Sequence, residues 1–510
     1  RCLIVDDKLI AFAPSGLTEY NIPNSVTSIG NDAFKGCSGL SSISIPNSVT
    51  SFGNYAFYGC SGLTSISIPN SVTAIGNGSF SGCTRLSAFY GKLASADNRC
   101  LIINGSLVAF APSGLSKYAI PNSVTTIGNY AFCVCKELTS VTLGNSVTAI
   151  GKYAFSNCIG LNTMNIPNSV TSIEGDAFMD CSGLTSVILG NSVTSIENFA
   201  FGNCTGLKSI NIPHSVTSIG FNAFSGCTGL PIIDNIRYAD TYLVEVVDKS
   251  LTSYNIKEGT RFIGGDAFNS CYELTSITIP NSVLDIGNSA FGSCSGLTSL
   301  TIPNSVKSIG VNAFYPCTGL TSVTLGNSVT SIDTYAFQGC SSLTSITSLN
   351  PNPSKTTLGN DVFYNVPTSS CTLYVPEESI EAYKTAPQWS DFVNISAILM
   401  PDNYLKAHNI TTCKQKPISI AVNLTNKDKI SAFQCDIVLP SGFSIPMVED
   451  EYDITLSSRA TRSHTISSNK VGEQTVRVLS YSSQSAAFTG NEGELFYIPI
   501  NPVAEAGSYN

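Results

Sequence analysis

The sequence predicts a mainly β protein with short helical turns, in which a solenoid of 23-residue coils precedes a small all-β sandwich. A motif recurs at fixed spacing, because Cys37, Cys60 and Cys83 lie 23 residues apart and the same spacing returns later in the chain. Self-similarity at such a period indicates a repeat architecture, in which stacked coils bury a continuous core. The composition supplies that core, since 43% of the 510 residues are hydrophobic and only 12% are charged.

One repeat divides into four parts. Leu40–Ile45 has the apolar spacing L-x-x-I-x-I, which predicts a short strand with inward-facing apolar side chains. Pro46–Ser48 has the residues of a turn, and Val49–Phe52 predicts a second short strand. Ala56–Cys60 places apolar residues at i and i+3 or i+4, which predicts one helical or 3-10 turn. One coil cannot bury its apolar side alone, so we expect neighbouring coils to cover one another.

Longer units interrupt the repeat and predict hairpins. Residues 1–23 and 99–121 align without a gap, and each has two apolar runs around a turn. The turns are Asp6-Asp7 and Asn104-Gly105, which favour β-hairpins that project from lengthened coils. The predicted domains are a solenoid at 1–349 with long units near 1–23, 87–121 and 231–263, a degenerate last repeat and cap at 350–398, and an incomplete β-sandwich at 399–510.

The sequence also predicts the elements that end the solenoid and those of the sandwich. Thr372–Val375 predicts a final strand, Glu377–Lys384 predicts a helix, and Trp389 is expected to be buried where the cap covers the last coil. Further along, apolar and polar residues alternate between turns, which is typical of an antiparallel sandwich. The strands predicted there are Ile418–Leu424, Ala432–Leu439, Gln474–Tyr481 and Gly493–Ile500.

The full repeat, L-x-x-I-x-IP-x-S-V-T-x-IG-x-x-AF-x-x-C, resembles the leucine-rich repeat of the BspA-like bacterial cell-surface proteins over about residues 20–366. The resemblance implies a leucine-rich-repeat solenoid and an extracellular or cell-surface location. It also implies adhesion, because members of that family bind host extracellular proteins and other bacteria. The segments AFQCDIVLPSGF and GELFYIPI are similar to cohesin-like sandwich modules of bacterial surface proteins.

Composition and motifs disfavour several classes of function. The net charge of −9, from 26 basic and 35 acidic residues, disfavours nucleic acid as a partner, because its phosphates require many basic contacts. No apolar run is long enough to span a membrane. The three histidines are scattered and no GxSxG, HExxH, paired CxxC or phosphate-loop motif occurs, so we expect no enzyme, no metal and no cofactor. The chain begins without a signal peptide, and we expect that any targeting segment was removed or never included.

The cysteines mostly occupy one position of the repeat. A thiol packs well in an apolar core, so we expect a buried column of free thiols. Disulfide rungs, and a metal at Cys133-Val134-Cys135, are the alternatives. A pair between Cys413 and Cys435 in the sandwich is left open.

Candidate binding residues stand where the repeat varies. The position before Ala-Phe carries an aromatic residue in some coils and Asp or Asn in others, and aromatic residues are enriched in interfaces. The alternative is that these rings only cover the neighbouring coil. The candidates are Tyr55, Tyr58, Tyr130, Tyr153 and Phe199 from the repeat, and Phe89 and Tyr90 from a loop.

The sequence therefore predicts a non-enzymatic extracellular scaffold whose repeat surface binds a host extracellular-matrix or cell-surface protein, or a glycan. The strand face rich in Ser and Thr, such as Thr139-Ser140 and Thr321-Ser322, is either a solvated surface or a further contact surface. Two other functions stay open: a structural stalk that displays the C-terminal module, and a carbohydrate-binding surface protein. The oligomeric state is left open.

Overall fold

The structure is a computed structural model, and it divides into two units, Arg1–Ala397 and Ile398–Asn510. The first unit is described at 2–14 and 16–397, and residue 398 of the second unit is described as well. The other parts of the second unit that are described are 403–407, 418–426, 432–438, 443–445, 447–448, 451–452, 454–456, 464–470, 475–482 and 494–502.

Each coil of the first unit contributes a strand to a first parallel ladder. The middle residue of each strand faces the core, as Ile66 and Val187 do, because alternate residues of a strand point to opposite sides. Neighbouring strands pair in register, as in Ser186↔Ser209, and the pairings among the described residues form five separate parallel sheets of two or five strands along the coils. The strands of this ladder are Glu19–Asn21, Ser42–Ser44, Ser65–Ser67, Ala88–Tyr90, Lys117–Ala119, Ser140–Thr142, Thr163–Asn165, Ser186–Ile188, Ser209–Asn211, Ser253–Asn255, Ser276–Thr278, Ser299–Ile302, Ser322–Leu325, Ser345–Ser348, Thr372–Val375 and Asn394–Ala397.

A second parallel ladder runs along the same coils with shorter strands. Each strand is two residues long, and most begin with a small or polar residue and end with an apolar residue that faces the core, as Ser172–Ile173 does. Ser172 pairs with Ala149 and with Ser195 of the two adjacent coils. The strands are Ser28–Ile29, Ser51–Phe52, Ala74–Ile75, Thr126–Ile127, Ala149–Ile150, Ser172–Ile173, Ser195–Ile196, Ser218–Ile219, Phe262–Ile263, Asp285–Ile286, Ser308–Ile309, Ser331–Ile332 and Thr357–Leu358.

The third side of each coil consists of turns instead of a helix. The Tyr58 N–H donates to the Tyr55 carbonyl at 3.0 Å, and the Cys60 N–H donates to the Phe57 carbonyl at 3.1 Å. Tyr55 and Gly59 have positive φ values of 56° and 69°, and a left-handed residue cannot continue a right-handed helix. Two consecutive turns, each closed by a hydrogen bond between residues i and i+3, therefore stand in place of the predicted helical or 3-10 turn.

The phenylalanines of the repeat form a stacked column in the core. The rings of Phe155, Phe178 and Phe201 are fully buried, with centroids 5.1 Å apart and planes only 2° apart. The cysteine column lies beside them, and the Cys204 thiol donates to the Phe178 carbonyl at 3.1 Å. All cysteines that the structure describes are free thiols, which confirms the predicted column. Cys413 and the side chain of Cys435 lie outside the described residues.

Three hairpins are present in the described part of the first unit, and the second and third of them lie at the boundaries between three core clusters. In the second hairpin Leu101 and Leu107 are fully buried and belong to different clusters. This hairpin is therefore stacked between coils, where its apolar side chains are covered on both sides, and does not project as predicted. The hairpin strands are Cys2–Val5 with Lys8–Phe12, Cys100–Ile103 with Ser106–Phe110, and Ile236–Ala239 with Tyr242–Val246, which Ile232–Ile233 extends.

The last coils end in a buried aromatic cluster. Trp389 is 2% exposed, and its ring lies 5.0 Å from Phe363 and 5.3 Å from Tyr383. The Tyr383 hydroxyl donates to the Asn350 carbonyl at 2.9 Å. The helices here are the 3-10 helices Pro353–Lys355, Glu377–Ser379 and Trp389–Asp391 and the α-helix Ile380–Thr385.

The described strands of the second unit pair antiparallel. One sheet is built around Glu494–Pro502, which pairs with Ile418–Asn426, and another around Thr475–Ser482, which pairs with Ala432–Val438 and His464–Lys470. These pairings agree with the all-β class, while the cohesin-like assignment stays a prediction. The remaining strands are Asn403–Ala407, Phe443–Ser444, Met447–Val448, Glu451–Tyr452 and Thr455–Leu456.

Candidate binding surface

The position before Ala-Phe has a left-handed backbone in every copy of the repeat. Its φ angle lies between 51° at Asp361 and 65° at Gly78. Gly, Asn and Asp adopt this conformation readily, whereas it strains other residues by about 1–2 kcal/mol. Several coils nevertheless carry a large aromatic side chain there. These residues are Tyr55, Tyr130, Tyr153, Phe199 and Tyr335.

Four tyrosines from three coils form a continuous cluster, here named the tyrosine row: Tyr55, Tyr58, Tyr130 and Tyr153. Tyr130 and Tyr153 stack with centroids 4.7 Å apart and planes 12° apart. Tyr55 meets the edge of Tyr130 at 5.3 Å and that of Tyr58 at 5.9 Å. All four side chains are partly exposed, so the row presents aromatic surface to solvent.

Gly78 makes the row continuous. It occupies the left-handed position of the coil between Tyr55 and Tyr130, and a Cβ atom built there would lie 2.7 Å from Tyr55 Cε1 and 3.4 Å from Tyr130 Cγ. The two rings therefore fill the space that a side chain at residue 78 would occupy. Any larger residue would push them apart.

Charged groups flank both ends of the tyrosine row. Lys35 Nζ lies 6.0 Å from the Tyr55 ring centroid and 5.8 Å from that of Tyr58, and it forms an ion pair with Asp32 at 2.9 Å. At the other end, partial burial and then the nearby Asp176 carboxylate raise the pKa of Tyr153. Since a phenol titrates near pH 10 even without such a shift, the hydroxyl stays neutral and can both donate and accept hydrogen bonds.

The other predicted binding residues do not join this row. Among the aromatic rings of the described residues, Phe199 contacts Phe221, edge-on at 5.8 Å. Tyr90 is 48% exposed but ends a strand of the first ladder, on a different side of the coil. Phe89 was wrongly expected in a contact surface: it is fully buried and packs against Phe80 at 5.2 Å, because it takes the inward position that Ile66 has in the preceding coil.

Sequence reasoning missed other exposed aromatic residues. Tyr364 is 55% exposed and lies in the same repeat column as Tyr58 and Tyr315, so the column itself could have identified it. Tyr272, at 58% exposure, directly follows a core cysteine. The role of Gly78 could also have been read from its column, as a position without a side chain between two coils that carry tyrosine.

The threonines of the strand face are committed to the fold. Thr321 Oγ1 donates to the Thr298 carbonyl at 2.8 Å, and Thr139 Oγ1 donates to the Ser116 carbonyl at 2.9 Å, each bridging to the coil before it. A hydroxyl has one proton to donate. These side chains therefore offer only acceptor lone pairs to a partner, which makes the tyrosine row the more versatile contact surface.

Little in the described part of the chain suggests reactive chemistry. Burial raises the pKa of the Cys340 thiol to about 12, so it stays protonated and is a poor nucleophile. Among the described residues no group of three or more His, Cys, Asp or Glu could hold a metal ion. No described helix has the length and apolar character needed to cross a bilayer.

Comparison with known proteins identifies the repeat. Residues 9–100, 106–231 and 247–387, well over half of the chain, match the model of the BspA type leucine rich repeat region in six copies. No curated protein matches the chain in sequence.

The chain is also similar to several solved structures. A leucine-rich repeat protein from Bacteroides ovatus is 29% identical, with 77% of this chain and 94% of that chain covered and a TM-score of 0.37. A leucine rich cell surface protein from Faecalibacterium prausnitzii is 25% identical, with 78% and 92% covered and a TM-score of 0.29. The pneumococcal vaccine antigen PcpA is 17% identical, with 77% and 94% covered and a TM-score of 0.29.

Proposed function

Because the chain belongs to the BspA-type leucine-rich repeat family, we propose that it is a non-enzymatic binding scaffold at the bacterial cell surface or outside the cell. The tyrosine row is the contact surface, and the partner is a host extracellular-matrix or cell-surface protein. The stacked coils hold the row in place, since each tyrosine belongs to a coil whose core residues are buried.

The observation that carries this proposal is the presence of tyrosine at left-handed positions. The fold alone favours Asn, Asp or Gly there, as found at Asp32, Asp176 and Asn222. A tyrosine at the same position strains the backbone and leaves aromatic surface in contact with water. Strained conformations concentrate at functional sites, and tyrosine is enriched where proteins bind. Contact with a partner explains why the strain is kept.

The surroundings of the tyrosine row indicate a contact surface with few charges. The charged groups at the ends of the row are Lys35 with Asp32 at one end and Asp176 at the other. Binding is therefore expected to change little between low and high salt, because long-range charge steering contributes little. A tyrosine-rich patch suits contact with a protein surface, because tyrosine is enriched in protein interfaces.

The test is direct binding of the full chain to a panel of purified host matrix and cell-surface proteins. The double variant Tyr130→Asn with Tyr153→Asn keeps residues that tolerate the left-handed backbone, and it is expected to bind at least tenfold more weakly. The matched control is Tyr335→Asn, the same exchange in the same column away from the row, which is expected to bind normally. If no panel protein binds, or if the double variant binds as well as the parent, the proposal is wrong.

A structural stalk is the second candidate, because the chain divides into two units. On that account the repeats only extend the second unit from the cell. The two accounts differ in the full-length protein: a stalk predicts that substitutions throughout the tyrosine row leave adhesion unchanged, whereas deletion of 398–510 abolishes it.

A further inference from the structure

A second candidate site lies at the turns that follow the first ladder, away from the tyrosine row in each coil. A concavity of about 640 Å³ opens there across successive coils, which is within the range of about 300–1,000 Å³ found for small-molecule sites. Its apolar lining includes Pro167 and the 58% exposed Ile188. Five asparagines also line it: Asn145, Asn165, Asn168, Asn191 and Asn211.

Gly190, which lines the concavity, stands where the flanking coils have Pro167 and Pro213. The Gly190 turn lies directly on the coil before it, since a Cβ atom there would be 2.6 Å from the carbonyl carbon and oxygen of Pro167. Gly190 therefore allows these two coils to pack closely where both line the concavity.

The asparagines differ in whether their side-chain amides are already hydrogen-bonded within the fold. The Asn211 amide accepts from the Leu189 N–H at 2.8 Å and donates to the Leu189 carbonyl at 3.2 Å, so it holds one wall in position. The Asn165 side chain makes no hydrogen bond within the described part of the chain, and neither does that of Asn145. Asn168 Oδ1 accepts from the Asn191 N–H at 2.8 Å, which leaves the two protons of Asn168 Nδ2 available.

This lining selects a ligand class. None of the residues around the concavity is charged, so it offers nothing to neutralise an ion. Each free amide presents a donor and an acceptor side by side, which matches pairs of adjacent hydroxyl groups, while Ile188 and Pro167 match C–H surface. We propose that this concavity binds a neutral saccharide, held by the amides of Asn145, Asn165 and Asn168 and by contact with Ile188.

A peptide backbone fits the concavity less well. Peptides that bind by main-chain hydrogen bonds add a strand to a free sheet edge. Here Ser186–Ile188 already pairs with Thr163–Asn165 on one side and with Ser209–Asn211 on the other. No backbone edge is available at this position, so the recognition must come from side chains.

The test uses the full chain and a panel of neutral oligosaccharides of glucose, galactose, mannose and N-acetylglucosamine, with affinity measured by calorimetry. The double variant Asn165→Thr with Ile188→Thr restores threonine, which the same column carries at Thr142 and Thr278, so the fold is expected to be kept. At least one oligosaccharide is expected to bind, and the double variant is expected to lose at least tenfold in affinity.

The matched control is Asn21→Thr, the same exchange at the same strand position in a coil outside the concavity, and it is expected to bind the oligosaccharide normally. The inference is overturned if no neutral oligosaccharide binds, if only acidic oligosaccharides or peptides bind, or if the double variant binds as well as the control. The tyrosine row is intact in all these proteins, so this result is independent of protein binding there.

Discussion

Gly78→Asn tests whether the tyrosine row acts as one surface. Asn is accepted at this left-handed position, as at Asn222 and Asn312, so the backbone of the coil is expected to keep its conformation. The new Cβ atom would nevertheless stand 2.7 Å from the Tyr55 ring. Because carbon atoms do not approach so closely, Tyr55 must turn away from Tyr130 and the row is divided.

The expected loss of stability is small and can be worked from the contacts. The edge contact between Tyr55 and Tyr130 at 5.3 Å is the interaction removed, and such a pair contributes about 0.5–1.5 kcal/mol. Replacing glycine with a residue that tolerates the same backbone conformation stabilises the fold by about 0.4–1 kcal/mol, because the unfolded chain has less conformational entropy to lose. The free energy of unfolding is therefore expected to fall by no more than about 1 kcal/mol.

Binding is expected to respond much more strongly than stability. Partner affinity is measured by surface plasmon resonance and stability by urea unfolding, with Ser289→Asn as the control because residue 289 has the same left-handed backbone, φ 53°, and lies outside the row. We expect a tenfold or greater loss of affinity for Gly78→Asn and none for the control. Unchanged affinity in a folded Gly78→Asn protein would refute the role of the row.

Two further predictions concern stability. Ser215→Ala is expected to lower the free energy of unfolding by about 0.5–1.5 kcal/mol, because Ser215 Oγ donates to the Val193 carbonyl at 2.7 Å. Ser169→Ala at the same repeat position is expected to change the free energy of unfolding little, because the buried Ser169 hydroxyl has no hydrogen-bond partner within the described residues. Equal losses for the two variants in urea unfolding would contradict this prediction. Burial raises the pKa of Asp285 above its ordinary value in the fold, so as the pH rises the unfolded chain loses this proton first and the fold is destabilised. Asp285→Ser is therefore expected to stabilise the protein more at pH 7 than at pH 3 in thermal unfolding, and a gain independent of pH would argue against that cause.

The repeat made the core predictable. A column of the same residue every 23 positions can be buried only if successive coils stack, and Phe155, Phe178 and Phe201 stack in that way. The turns were harder, because the spacing of Ala56, Phe57 and Cys60 fits a helical turn as well as two consecutive turns. The signal that separates them is the Asp, Asn or Gly before Ala-Phe, since those residues favour a left-handed backbone.

The binding surface was only partly predictable. Tyr130 and Tyr153 lie one repeat apart, so their contact follows from the period alone. Tyr55 and Tyr130 belong to coils separated by a whole further coil and a hairpin, and their contact depends on the missing side chain of Gly78. The sequence shows that glycine but not the direction in which the rings on either side turn.

The central claim is that the tyrosine row itself touches the partner. The most direct measurement is nitration of tyrosines in the free and partner-bound full chain, with each site quantified by mass spectrometry. Tyr130 and Tyr153 are expected to be protected in the complex, while Tyr272 and Tyr364, which are exposed outside the row, react equally in both states. The account would be contradicted if the partner protected Tyr272 or Tyr364 from nitration while Tyr130 and Tyr153 still reacted.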